Sequence, residues 1–325
     1  MNNGRLIDII ATNATKKIQE VLDEVSLALS PELMSADSLK QAILDEPFVE
    51  VTAISKGIFK VFTNNGSLFK EATLRDFYCG HIRVKAQHQT LKSLKLGKIA
   101  PPWDLTTAYY CAFFSAIELL RLQGLFQVSF DSQDHSILLA KVKGDSSFLE
   151  ETQNFTGKLS ACGEEILFTS NGQKPHQSVW KNVHEVITRP LAAKYPDWKE
   201  IHTLNLIVCG ANNWSKPSDI RNNWNYKKTE FYSEISQPLT SEFYSLIENS
   251  SSACRWLERS MSLVPTEKSL ATSIAVICEV FSSSVISSYQ NLIPAVDIKT
   301  RNPRKHSSRS EKRRVKARGR KHRHK

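Results

Sequence analysis

The chain contains no CxxC pair. Its six cysteines (Cys79, Cys111, Cys162, Cys209, Cys254 and Cys278) are scattered through 325 residues. That spacing excludes a zinc knuckle, and a disulfide framework is not expected in a chain this long. Cys111, Cys209 and Cys278 sit in apolar runs, where a free thiol behaves as a small hydrophobe. There is no GxSxG elbow, no HExxH and no GxGxxG. Thr156-Gly157-Lys158 lacks the upstream glycine of a phosphate loop, and Leu159 stands where Ser or Thr would meet magnesium. Asp131, Asp134 and His135 read as a polar hairpin turn rather than as metal ligands. No metal and no cofactor are therefore expected. The N-terminus lacks the apolar core of a secretory signal. The most apolar stretch, residues 270–289, carries Glu279 among many serines and reads as a buried core helix rather than a membrane span. A reducing cytoplasm without membrane attachment is the expectation.

Excess positive charge is absent except at one end. The formal net charge is +10, yet residues 301–325 hold 13 of the 43 Lys and Arg with one acid, Glu311, leaving 30 basic against 32 acidic side chains elsewhere. The rest of the chain, with hydrophobic content of 41% and charged content of 23%, has the composition of a folded protein. The tail has only Val315 and Ala317 as apolar residues beyond Asn302, too little to offset the entropy of ordering, and is expected to be disordered when free. Lys312, Arg313, Arg314, Lys316, Arg318, Arg320, Lys321 and Arg323 are its candidate phosphate contacts, for RNA or DNA with little sequence preference. The tail has no aromatic residue, so it offers no base stacking.

Hydrophobic periodicity predicts a mainly helical chain. Residues 5–29 repeat at helical spacing, and a short helix follows Ser35 and Ser38. Residues 48–62 alternate around Ser55-Lys56-Gly57, as a β-hairpin does. A polar helix is expected over 68–96, stopped by Pro101-Pro102. An aromatic helix is expected over 104–124, with Asp104 or Thr106 as N-cap and Gly124 at its end. Strands are expected at 126–130 and 136–143, and a hairpin at 156–170 turning at Gly163. Helices are expected at 176–187, 218–230 with interruptions, 239–264 and 266–292, the last entered by Pro265. Residues 1–100 then form N-terminal helices plus a hairpin, 101–296 a helical bundle with inserted hairpins, and 297–325 the tail.

Two segments carry the functional signal: Ala108-Tyr-Tyr-Cys-Ala-Phe-Phe114, which is apolar nearly all round, and Arg221-Asn-Asn-Trp-Asn-Tyr226. With His176-Gln-Ser-Val-Trp180 between them, they resemble, in order and spacing, the core helices of the HEPN superfamily of prokaryotic toxin and defence proteins, over roughly residues 104–260. The resemblance implies a helical bundle, a homodimer through that bundle, and an antitoxin or other defence-system protein as partner. Catalytic members are metal-independent ribonucleases with an Arg-x(4–6)-His motif. In such a pair a histidine moves the 2′-hydroxyl or leaving-group proton and the arginine stabilises the phosphorane. Arg221 is in the corresponding region, but Tyr226 stands where the histidine would, and a phenol with a pKa near 10 is a poor base at neutral pH. Arg221, His176 and Tyr226 are the candidate site residues, with His184 a second histidine for Arg221. Arg221 could instead cap a helix or pair with an acid. Arg75–His81, Arg83–His88, Arg301–His306 and Arg318–His324 also satisfy the bare spacing. The first two precede the aromatic helix, the wrong order for the family. Binding of nucleic acid by a catalytically silent module, cleavage of RNA, and a pure protein-interaction role are the three expectations.

Overall fold

The computed structural model describes residues 5–22, 37–95, 100–143, 154–171 and 175–293. The chain opens with α1 (Arg5–Leu22) and α2 (Leu39–Asp45). Ser38 caps α2 through a reciprocal bond with Gln41. The expected hairpin is present as β1 (Val49–Ser55) and β2 (Ile58–Thr63), followed by α3 (Leu68–Lys95) and the aromatic helix α4 (Pro101–Leu122).

Several boundaries differ from the sequence expectation. Pro101 and Pro102 begin α4 rather than ending α3, because a first-turn proline gives up an N–H that has no intrahelical partner anyway. Ala100 is the N-cap, and Asp104 lies inside the first turn, buried, where its carboxylate takes the Tyr244 hydroxyl. After β3 (Leu125–Ser129) the chain forms a helix, α5 (Ser132–Ala140), where a strand was expected. The polar run Asp131 to Asp134 is its capping box: Asp131 accepts from the Gln133 and Asp134 amides, and Asp134 accepts from the Asp131 amide. The hairpin β4 (Asn154–Leu159) and β5 (Glu165–Ser170) turns near Gly163, as expected.

The hairpins are not separate insertions. They join in one antiparallel sheet of order β1-β2-β5-β4-β3. Its buried face is built from phenylalanines, with the Phe59 and Phe168 rings stacked at 4.9 Å and Phe130 and Phe155 packed edge-on around them. Helices α2 and α5 contribute Ile43 and Leu138 to that layer. Gly124, at φ +74°, lets the chain turn from α4 straight into β3.

The second half is helical: α6 (Pro175–Val183), a π-helical turn over His184–Thr188, α7 (Arg189–Lys194), α8 (Lys199–Cys209), α9 (Pro217–Asn222) and a second π-helical turn over Asn223–Lys227. A 3-10 turn, α10 (Ser236–Leu246), α11 (Ser250–Arg259) and α12 (Glu267–Leu292) complete it. Helix α8 was not foreseen. The helix expected over 239–264 is broken between α10 and α11, where Glu248 takes φ +71°. Helix α12 is the axis of the bundle, packed against α1, α3, α4, α10 and α11. It is long and apolar enough to cross a membrane by length and composition, and 83% of its apolar window is buried within the bundle. Its serines are tolerated because they bond back to their own helix, Ser282 to the Cys278 carbonyl and Ser284 to that of Val280. Glu279 is matched there by His88 Nε2 at 2.7 Å and the Glu248 amide at 3.0 Å.

The first hundred residues take part in both layers. Leu6, Ile10, Leu74 and Phe77 share the apolar core of α4 and α12, whereas Val51, Phe59 and Phe69 belong to the sheet layer. Residues 23–29, Ser35 and the basic tail from 297 lie outside the described residues.

Helices α3 and α4 meet closely at Gly80. A Cβ there would overlap the fully buried Glu118 carboxylate, which is held by Arg83 at 3.0 Å and by Arg121. Gly80→Ala should therefore lower stability by roughly 1–3 kcal/mol in thermal or urea denaturation, although alanine favours a helix interior by about 1 kcal/mol. An unchanged or raised midpoint would contradict the close approach.

Candidate functional site

Three helical segments converge on the Tyr109 side chain. Helix α4 supplies Tyr109 and, next to it, the half-buried Tyr110. Helix α6 supplies His176 and, one turn on, Trp180, which therefore lie on the same face. Helix α9 supplies Arg221, and the π-helical turn that follows supplies Tyr226. In that turn the Lys228 amide bonds the Asn223 carbonyl, five residues back, at 2.9 Å. Widening the helix in this way brings the residue five positions after Arg221 beneath it instead of well round the side. Buried Trp224, packed on Phe231 at 4.3 Å between ring centroids, holds the widened turn against the core.

The Tyr109 hydroxyl lies 2.7 Å from His176 Nδ1 and 3.2 Å from Trp180 Nε1. The Arg221 cation acts on it by charge. The Arg221 guanidinium carbon is 5.2 Å from the Tyr109 ring centroid, 5.6 Å from that of Tyr110 and 5.7 Å from that of Tyr226. Trp180 can only donate, so it occupies one lone pair of the phenolic oxygen, and the charge of the Arg221 cation turns the Tyr109 proton away from itself, toward His176 Nδ1. The remaining imidazole proton is thereby assigned to Nε2, which has no protein partner among the described residues. The His176 ring is further fixed by stacking on Phe113 at 4.3 Å.

Burial pushes the Tyr109 phenol up to about 12, against the opposing pull of Trp180 and Arg221. It therefore stays protonated at neutral pH. Burial and the neighbouring Arg221 cation hold His176 below its ordinary 6.5, so the imidazole is neutral. Arg221 is only 8% exposed, and no described acid lies within ion-pair distance of it. Its Nε is buried without a partner. It does not pair with a core-edge acid: the aromatic rings take that place, through cation–π attraction. The set of groups is donor-rich: a guanidinium, an imidazole Nε2–H and the exposed Tyr226 hydroxyl. Such a set suits an anion.

Of the candidate residues, Arg221, His176 and Tyr226 come together here. His184 does not join them; its Nδ1 is 3.0 Å from Asn205 Oδ1. Of the other arginine–histidine spacings, Arg301–His306 and Arg318–His324 lie outside the described residues, and those at 75–88 have structural partners. Arg83 pairs with Glu118 and lies over Phe114, His88 meets Glu279, and His81 stacks on Tyr289 at 3.7 Å. Thr156-Gly157-Lys158 lies in β4. Asp134 pairs with Lys40, and His135 packs near Phe130 and Phe155. Among the described residues no three His, Cys, Asp or Glu form a group that could hold a metal. The tail residues Lys312 to Arg323 lie outside the described residues. Sequence reasoning missed Trp180 and the direct part of Tyr109 in the site. The usable signals were a buried phenol, which needs a partner, and the one-turn spacing of His176 and Trp180.

No protein-family model matches the chain, nor does any curated protein or solved structure.

Because the folded protein holds His176 below its ordinary pKa, the unfolded chain binds the extra proton first. The stability this residue contributes is present above about pH 6.5 and is lost as the pH falls below it. The thermal midpoint of the wild type should therefore fall more steeply between pH 7 and about pH 5 than that of His176→Asn, which keeps an acceptor but cannot titrate. Parallel profiles would contradict the assigned neutral imidazole.

Proposed function

We propose that the chain is a HEPN-like nucleic-acid-binding protein, directed at RNA, in which Arg221, His176 and Tyr226 receive a backbone phosphate and the basic tail adds non-specific affinity. The observation that supports this best is Arg221 itself, a nearly buried cation with aromatic neighbours, a free Nε and no acid. Burying a charge without a counter-ion is costly, and fold stability alone gives no reason to retain it. A phosphate oxygen supplies the missing charge and accepts from the guanidinium and from His176 Nε2–H. The RNA target and the setting in prokaryotic defence rest on the HEPN resemblance. The tail, with its 13 Lys and Arg, brings long-range attraction that weakens steeply with salt.

Metal-independent cleavage of RNA is the second reading, favoured by the meeting of His176 and Arg221 around one tyrosine. The arginine is suited to stabilising a phosphorane. The histidine is less well suited to taking a proton, since Nδ1 is engaged by Tyr109 and Nε2 already carries hydrogen. Binding without turnover is therefore the outcome this arrangement favours.

Arg221→Met separates these readings, provided the salt is high enough to suppress tail contacts. RNA affinity should fall about tenfold or more, the size of a lost charge-assisted hydrogen bond, while the thermal midpoint stays level or rises as an uncompensated charge is removed. Neither protein should cleave RNA in EDTA. Equal affinities would overturn the proposal; EDTA-resistant cleavage by the wild type that Arg221→Met lacks would establish the ribonuclease instead.

A further inference from the structure

Beside the Arg221 cluster lies a group of aromatic side chains of which the phosphate site uses only the Tyr226 hydroxyl. Trp103 is 53% exposed, Tyr232 39% and Tyr226 66%. Large exposed aromatics in a chain whose other tryptophans are mostly buried call for an explanation. The three are held in place by specific contacts. The Trp103 and Tyr232 rings meet edge to face, with centroids 6.2 Å apart at 75°. The Tyr232 hydroxyl donates to Asn225 Oδ1 at 2.7 Å, tying it to the π-helical turn that carries Tyr226. Tyr226 in turn borders Arg221.

Helix α4 aligns the two regions. Trp103, Thr107, Tyr110, Phe114 and Ile117 follow the spacing of one helical face and are its less buried positions. Trp103 and Tyr110 are separated by two turns, about 10 Å along the axis. The face thus runs from an exposed indole at one end to the guanidinium over Tyr110 at the other. Charge sorts the two ends. Glu230 and Glu234 are exposed on either side of Tyr232 in sequence, which disfavours phosphate there. Arg221, and exposed Lys227 next to Tyr226, favour it at the other end.

We infer that Trp103, Tyr232 and Tyr226 form a stacking platform for unpaired bases, so that the preferred ligand is a single strand whose adjoining phosphate lies at Arg221. This rests on the phosphate-binding reading of Arg221. A π-face is common to every base, and stacking on aromatic side chains gives affinity without sequence preference. A paired base keeps its faces against its neighbours and cannot use the platform. The platform also supplies what the tail lacks, since the tail has charge but no Phe, Tyr or Trp.

The test uses the full-length protein and three labelled probes of equal length: an oligouridylate, its abasic counterpart and an RNA duplex. Affinities are measured by fluorescence anisotropy at a salt concentration that suppresses tail contacts. Trp103→Ala should weaken oligouridylate binding about tenfold and leave the abasic strand and the duplex unchanged. Trp103→Phe should restore most of the loss. Arg221→Met should weaken binding of all three probes. If Trp103→Ala binds oligouridylate like the wild type while Arg221→Met does not, the platform is wrong and the phosphate site stands. If Arg221→Met binds like the wild type, the phosphate site falls and the platform with it. A Trp103→Ala loss equal on all three probes would also overturn the platform.

Discussion

The hydrogen-bonded hydroxyl of Tyr109 is the interaction on which the site depends. It accepts from Trp180, donates to His176 and feels the charge of Arg221, so α4, α6 and α9 meet around one side chain. Each partner is constrained by the others. The indole N–H and the guanidinium charge direct the phenolic proton to His176 Nδ1, which places the imidazole proton on Nε2. In a buried setting the bonds of Trp180 and His176 to that oxygen are strong when complete and costly when the oxygen is missing. Tyr109 could not be placed so firmly on a surface helix. It is held there because α4 lies against α12 and is apolar almost all round, so the phenol is brought to a buried position that demands partners.

The site combines stability and cost. Arg221 is nearly buried among three rings without a counter-ion, and burial also disfavours a charge on His176. Fold stability alone would favour hydrophobic residues of similar size at the arginine position. The π-helical turn after α9 serves the same end, since it breaks regular helical geometry to bring Tyr226 beneath the guanidinium. These features fit a site shaped for an anionic ligand, with the exposed aromatics along α4 extending it.

Much of the helical framework was legible in the sequence because its signals are local. Pro265 marks the entry to α12, and Ser38 the start of α2. Alternation over 48–62 marks the first hairpin. The errors arose where one pattern serves two structures. Asp131-Ser-Gln-Asp134 is as good a capping box as a turn, and the helix it starts was taken for a strand. Pro101-Pro102 suits the start of a helix as well as the end of one. The single sheet was invisible because β2 pairs with β5 across about a hundred residues, and no local pattern records that register. At the site, Arg221 and His176 were singled out by resemblance and order. Their meeting on Tyr109, and the widening that seats Tyr226, depend on packing between distant helices.

Replacing the hub by phenylalanine tests the account most directly. Tyr109→Phe keeps the ring and its packing but removes the oxygen, leaving the Trp180 N–H and His176 Nδ1 without a partner. Buried groups left in that state cost roughly 1–3 kcal/mol. The account predicts a loss of that size in urea denaturation, together with weaker RNA binding because His176 loses the bond that orients it. A Tyr109→Phe protein with wild-type stability and wild-type RNA affinity would contradict it.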